Sequence, residues 1–98
     1  MSPAELRLDE VTAADFAPHI GTEFRAEATV LTLSKAEELG AAGIGSRAPF
    51  ILIFKAPAEA ALGQGTYALD HEALGRLEIF LVPIGVTPDS RTYQAIFN

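Results

Sequence analysis

Cysteine and tryptophan are absent from the chain, and methionine occurs once. Without cysteine no disulfide can stabilise a domain of this size, so hydrophobic packing or a partner subunit must do so. The chain has 2 histidines and no thiolate, which leaves too few ligands for an ordinary zinc site. We therefore expect no bound metal and no cofactor.

Basic residues are also scarce. The chain carries 7 Lys and Arg against 13 Asp and Glu, which gives a net charge of −6. A nucleic-acid-binding surface needs clustered positive charge to neutralise phosphates. The charge balance therefore argues against a nucleic-acid partner.

Long apolar runs are missing as well. The longest nearly continuous run is Phe50 to Phe54, far shorter than the roughly 18 residues that a membrane-spanning helix needs. Residues 1–10 contain neither the basic region nor the apolar core of a signal peptide. The sequence thus predicts no membrane association and a protein that is cytoplasmic as synthesised.

The residues that are present describe one small folded domain. The length is 98 residues and 49% of them are hydrophobic, as in ordinary globular chains. We assign residues 1–10 to an N-terminal tail and residues 11–98 to a single domain.

The domain begins with a short helix and continues with strands. Thr12 followed by Asp15 resembles a helix capping box, which predicts a helix over Ala13 to His19. From Thr22 the apolar residues alternate with a period of two. Their parity changes at Val30–Leu31, which predicts a bulge or a sharp bend in one strand that continues to about Leu39.

The second half of the chain is richer in strands. Phe50 to Phe54 is apolar at every position, which predicts a strand covered on both faces. A hairpin is expected between Tyr67 and Leu81, and its second arm is again apolar on both parities up to Ile84. Pro83 favours an edge position, and Tyr93 to Phe97 forms a closing strand. The predicted fold is mainly β, a small antiparallel barrel or compact sandwich of five to six strands with one short N-terminal helix.

Few residues suggest chemistry. Asp70-His71-Glu72 lies at the predicted hairpin tip and is interpreted as a solvated turn, while His19 is expected to cap the helix. The glycine-rich segment 40–47 lacks the Lys-Ser/Thr and the helix of a phosphate-binding loop. We expect no catalytic residue and no enzyme. That expectation would change if Asp70, His71 and a distant acid such as Glu23 or Glu37 met within hydrogen-bond distance.

The order of several motifs resembles a family of short, uncharacterised bacterial proteins of about 100 residues. The resemblance covers about residues 11–98 and rests on Phe16-Ala17-Pro18-His19-Ile20-Gly21-Thr22, Arg47-Ala48-Pro49-Phe50, Gly65-Thr66-Tyr67-x-Leu69-x-His71, Leu74-Gly75-x-Leu77 and Tyr93-Gln94-Ala95-Ile96-Phe97-Asn98. Members tend to be encoded near proteins with a phage-tail-collar-like domain. The resemblance implies an accessory to a tail-like or fibre-forming assembly, and it assigns no catalytic residue.

These observations favour a non-enzymatic structural or interaction module. It would self-associate or dock on a collar-like protein partner, and the candidate contact residues are Ile44, Arg47, Phe80, Val82 and Ile84. The alternative is a small barrel that binds an apolar ligand. If the chain forms oligomers, the strand edges at Tyr93 to Asn98 and Glu23 to Leu33 are where subunits are expected to pair.

Overall fold

The computed structural model describes residues 11–40 and 48–97. The chain forms α1 (Ala13–Phe16), a 3-10 helix (Ala17–His19) and six strands. The strands are β1 (Glu23–Ala26), β2 (Thr29–Glu38), β3 (Phe50–Pro57), β4 (Gly65–His71), β5 (Gly75–Val86) and β6 (Ser90–Phe97). In the described part of the chain, neither helix has the length and apolarity to cross a membrane.

The helix begins where the sequence predicts it. The backbone N–H of Thr12 donates to the Asp15 carboxylate at 2.8 Å, so the acid three residues into the helix ties down its start. Pro18 lies inside the 3-10 helix that follows, and Gly21 adopts a φ of 92° where the chain leaves it. The predicted helix over Ala13 to His19 is confirmed, with its second half wound as 3-10.

The segment from Glu23 to Glu38 is a hairpin, so the prediction of one bulged strand was wrong. β1 pairs with β2 in antiparallel fashion from Glu23↔Thr32 to Ala26↔Thr29. The chain reverses at Glu27 and Ala28, and Glu27 has a φ of 55°. The change of parity near Val30 therefore marks a reversal of direction.

Glu27 is a non-glycine residue in a left-handed conformation, which costs on the order of 1 kcal/mol. We expect Glu27→Gly to stabilise the protein by about 0.5 kcal/mol in urea unfolding, because relief of roughly 1–2 kcal/mol of strain is partly offset by roughly 0.5–1 kcal/mol of added chain entropy. Ala28→Gly in the same turn is the matched control, because Ala28 has no positive φ and should lose stability through added chain entropy. Equal changes in the two variants would contradict this description of the turn.

The six strands close into an antiparallel barrel in the order β1-β2-β3-β6-β5-β4, so the predicted barrel is confirmed. β6 lies between β3 and β5, and β2 lies between β1 and β3. The strand edges that we expected to pair between subunits are therefore largely used within one chain, with Asn98 outside the described residues. The first half of β5 pairs with β4 as far as Leu81, and its second half pairs with β6 from Val82.

The barrel interior is filled by alternate residues of each strand. Fully buried side chains include those of Phe24, Leu31, Leu33, Phe50, Leu52, Phe54, Leu69, Leu77, Ile79, Leu81 and Tyr93. On β3, Ile51 and Ile53 are only half-buried on the outer face. The expectation that the β3 strand is covered on both faces was thus too strong, because the described residues cover its outer face only in part.

Both barrel ends are closed by side chains. At one end the Phe16 ring of α1 lies 5.9 Å from Phe50 and 6.1 Å from Phe97, centroid to centroid. At the other end the hydroxyl of Tyr93 donates to the carbonyl of Leu62 at 3.1 Å. α1 is therefore part of the core, as its shortness requires.

Candidate functional sites

The predicted contact residues of β5 lie on the outside of the barrel. Phe80 is 50% exposed and Ile84 is 49% exposed, while Val82 is half-buried. The expectation that the second half of β5 is covered on both sides was wrong for the single chain. Ile44 and Arg47 lie outside the described residues.

The geometry of β5 explains this exposure. Leu77, Ile79 and Leu81 point into the barrel and are buried, so Phe80 and Val82 lie on the opposite, outer face. Val82 pairs with Gln94 of β6, and the register shifts between Pro83 and Gly85, which makes Ile84 the residue of a bulge. Outward apolar residues and a bulge thus occur together on one strand.

Ile96 belongs to the same surface and was missed by the sequence analysis. It is 52% exposed and lies on β6, two residues beyond Gln94. The signal was present, since Ile96 has the parity of Thr92 and Gln94, opposite to buried Tyr93 and Ala95. We call Phe80, Val82, Ile84 and Ile96 the outer apolar patch.

The segments of β3, β5 and β6 next to this patch carry no charged side chain, and Glu78 and Arg91 lie at their ends. Residues 50–54, 79–88 and 92–97 contain no Asp, Glu, Lys or Arg, and β3, β6 and β5 are neighbours in the barrel. Lys55 borders this region and donates to the hydroxyl of Thr92 at 2.8 Å. By contrast, the outer positions of β1, β2 and β4 include many charged side chains: Glu23, Arg25, Lys35, Glu37 and Asp70. Apolar exposure and missing charge coincide on one side of the barrel.

A second feature is a polar cleft on the side where β1 meets β4. It is lined by His19, Thr22, Glu23, Arg25, Asp70, His71, Glu72 and Ala73. The rings of His19 and His71 meet edge to face with centroids 4.7 Å apart. We call this cleft the two-histidine cleft.

His71 is the one polar residue that is buried among the described residues. Its Nδ1 lies 3.0 Å from the N–H nitrogen of Ala73 and 3.1 Å from that of Leu74, and both donate to it. Its Nε2 lies 2.9 Å from the hydroxyl oxygen of Thr22. Since Nδ1 accepts, the ring is neutral and carries its proton on Nε2, which donates to Thr22.

The surroundings keep His71 neutral. Burial lowers the pKa of His71, the nearby His19 imidazole lowers the pKa further, and Glu72 opposes both effects. The interpretation of Asp70-His71-Glu72 as a solvated turn thus holds for Asp70 and Glu72, which are exposed, and was wrong for His71.

Asp70, His71 and Glu23 all line the cleft, but the His71 ring forms its hydrogen bonds with Thr22 and with the turn rather than with either acid. Asp70 accepts from Arg76 at 2.9 Å, and this hydrogen bond lowers the pKa of the Asp70 carboxyl. Glu37 pairs with Lys35 at 3.0 Å, and the ring nitrogens of His71 are bonded to Thr22 and the turn. Within residues 11–40 and 48–97, no three His, Asp or Glu side chains converge as metal ligands.

Comparison with known proteins identifies the family of the chain. The model of one family, described as "Domain of unknown function (DUF6916)", matches residues 3–97. The chain belongs to this family. No match to the chain was found among the curated proteins or among the solved structures. Membership in the family agrees with the resemblance to an uncharacterised family and carries no assigned activity.

Proposed function

We propose that the protein is a non-catalytic assembly module that self-associates through the outer apolar patch. The observation that carries this proposal is the coincidence of three exposed large apolar side chains, Phe80, Ile84 and Ile96, on strand segments that contain no charged residue. Exposed apolar clusters on small soluble proteins mark interaction surfaces. Core positions of interfaces are likewise depleted in charge.

A second copy of the chain fits this surface better than a charged partner does. With a net charge of −6, two copies repel each other over most faces. The β5–β6 side lacks that repulsion and offers the same apolar side chains to each copy, as a two-fold interface requires. A stable interface buries roughly 800 Å² on each partner, so half-buried Ile51 and Ile53 on β3 would join it.

The resemblance noted in the sequence supplies the setting of this proposal. An accessory of a phage-tail-like or fibre-forming assembly needs a rigid domain with a specific contact surface and no reaction centre. The closed barrel and the outer apolar patch suit that role. The collar-like protein would be the component of the larger assembly on which this module docks. Because fold alone does not define function, the proposal rests on the contact surface.

The alternative of an apolar-ligand-binding barrel finds less support. The Phe24 and Phe54 rings meet inside the barrel at 5.3 Å, and large aliphatic side chains fill the neighbouring interior positions. A ligand would have to displace these side chains, which costs packing energy. Native mass spectrometry of the purified protein would reveal a retained small molecule if this alternative were correct.

Phe80→Glu tests the proposed interface. It places a carboxylate in the patch, and burying it unpaired costs several kcal/mol, so the dimer dissociation constant should rise by about 100-fold or more. Ala14→Glu is the control, because it adds the same charge at an exposed position of α1. Sedimentation equilibrium should give a mass above the 10.4 kDa monomer for the wild type and Ala14→Glu, and the monomer mass for Phe80→Glu.

Two results would contradict the proposal. One is a wild-type protein that stays monomeric at concentrations of about 100 μM, which would place the dimer dissociation constant above that value, at less than about 5.5 kcal/mol of binding free energy. The other is a wild-type oligomer whose mass is unchanged in Phe80→Glu, when the circular dichroism of the variant shows that it is folded like the wild type.

A further inference from the structure

The barrel closes unevenly. β1 pairs with β2 at four positions, and β3 pairs with β6 at eight. β1 meets β4 at the single register pair Arg25↔Asp70. We call the boundary between β1 and β4 the seam, and its backbone pairing is the weakest in the barrel.

Side chains of the two-histidine cleft reinforce the seam. The hydroxyl of Thr22, which directly precedes β1, lies 2.9 Å from Nε2 of His71 at the end of β4. The same hydroxyl donates to the carbonyl of His19 at 2.5 Å. The His71 ring also packs on Phe24 of β1, with centroids 4.4 Å apart. One imidazole therefore connects β4 to β1 and to the 3-10 helix.

The other ring nitrogen of His71 shapes the β4–β5 turn. Nδ1 accepts from the backbone N–H groups of Ala73 and Leu74. A proton on Nδ1 would turn this acceptor into a donor facing two donors, so both hydrogen bonds would be lost. The turn contact therefore depends on the neutral ring, whereas the Nε2–H of a protonated ring can still donate to Thr22.

We propose that His71 is a proton-sensitive clamp, whose protonation in mildly acidic solution releases the β4–β5 turn that holds the ring in place beside the seam of the barrel. This is a conformational device independent of the outer apolar patch. It is local, because Phe80 pairs with Thr66 at the opposite end of β4 from His71, and Ile96 lies on β6, which pairs with neither β1 nor β4.

The charged groups around the ring come from every element that packs on it. They are His19 of the 3-10 helix, Glu23 and Arg25 of β1, and Asp70 and Glu72 beside His71 itself, all lining the cleft. Asp70 forms a salt bridge with Arg76, and Arg25 is itself a cation. Neither residue therefore favours a positive charge on His71. Glu23 and Glu72 are exposed to solvent, where their attraction for a buried imidazolium is screened.

The pH dependence follows from these contacts. Since the pKa of His71 is lowered in the folded protein, the unfolded chain binds the proton more readily. The stabilisation is therefore complete above the unfolded pKa of about 6.5. It is lost as pH falls from there through the folded pKa. In that range the folding constant should fall by up to about tenfold per pH unit.

Unfolding by urea between pH 7.5 and pH 5 tests the clamp. In His71→Asn the Asn oxygen takes the place of Nδ1 and accepts from the turn without titrating. The free energy of unfolding should therefore hardly change between pH 6.5 and pH 5. His19→Gln is the control for the other imidazole, and it should keep a slope, although a reduced one. A His71→Asn profile as steep as that of the wild type would overturn the proposal.

Amide hydrogen exchange on the wild type gives a second readout that needs no variant. After correction for intrinsic exchange, the Ala73 and Leu74 amides should lose protection by about tenfold or more between pH 7 and pH 5. The Leu52 and Ala95 amides, in the paired β3 and β6, should lose less. Equal losses at all four amides would mean global unfolding and would overturn a local clamp, as would unchanged protection at Ala73 and Leu74.

Discussion

Phe24→Ala is expected to lower the free energy of unfolding by about 3–5 kcal/mol. Phe24 is fully buried, and its ring contacts Phe54 at 5.3 Å and His71 at 4.4 Å. Truncation would leave a cavity between the core and the seam. Since a domain of this size has roughly 5–15 kcal/mol of stability in total, the loss is a large fraction of what holds the barrel together.

Phe80→Ala is the matched control for this prediction. It removes the same atoms from a side chain that is half exposed on the outer face, so the monomer should lose only about 1–1.5 kcal/mol, since half of the ring surface is already in water. Urea unfolding at low protein concentration, where association does not contribute, gives both values. If Phe24→Ala does not fold, Phe24→Leu should show an intermediate loss. Equal losses for Phe24→Ala and Phe80→Ala would contradict the assignment of inner and outer faces.

Phe16→Ala is expected to have an effect of similar size, about 3–5 kcal/mol. The Phe16 ring closes one end of the barrel against Phe50 and Phe97, and these two rings stack with centroids 4.6 Å apart. Without the Phe16 ring, α1 has too few turns to remain helical by itself. The barrel end would then be open to water.

Thermal unfolding measures this effect, since each kcal/mol corresponds to about 4–8 °C in a domain of this size. Asp15→Ala is the comparison, because it removes the helix cap and leaves the ring in place, at a cost of about 1 kcal/mol. A Phe16→Ala variant that loses no more than Asp15→Ala would show that α1 is not part of the core.

The sequence predicted the parts of the fold that depend on local patterns. Thr12 and Asp15 predict the helix, and the alternation around Tyr67 to Leu81 predicts the β4–β5 hairpin. The β1–β2 hairpin was missed because its turn, Glu27-Ala28, contains none of the residues that usually signal a reversal. A change of parity is common to a bulge and to such a turn, so the pattern alone does not separate them.

The two candidate sites were predictable to different degrees. The apolar residues of β5 pointed to a special surface, but alternation does not say which parity faces inward once both are apolar. The role of His71 depends on Thr22, 49 residues away, and on the shape of the turn at Ala73 and Leu74. These groups come together only through the pairing of the strands in the barrel. Their spacing in the sequence therefore does not predict the contact.

Isotope-filtered NMR on an equal mixture of labelled and unlabelled chains tests the central claim most directly, because it detects contacts between copies. We predict intermolecular nuclear Overhauser effects from the Phe80 ring and from the methyl groups of Val82, Ile84 and Ile96. These contacts should vanish in Phe80→Glu. A wild-type sample without intermolecular contacts, or with contacts confined to α1, β1 and β2, would contradict assembly through the outer apolar patch.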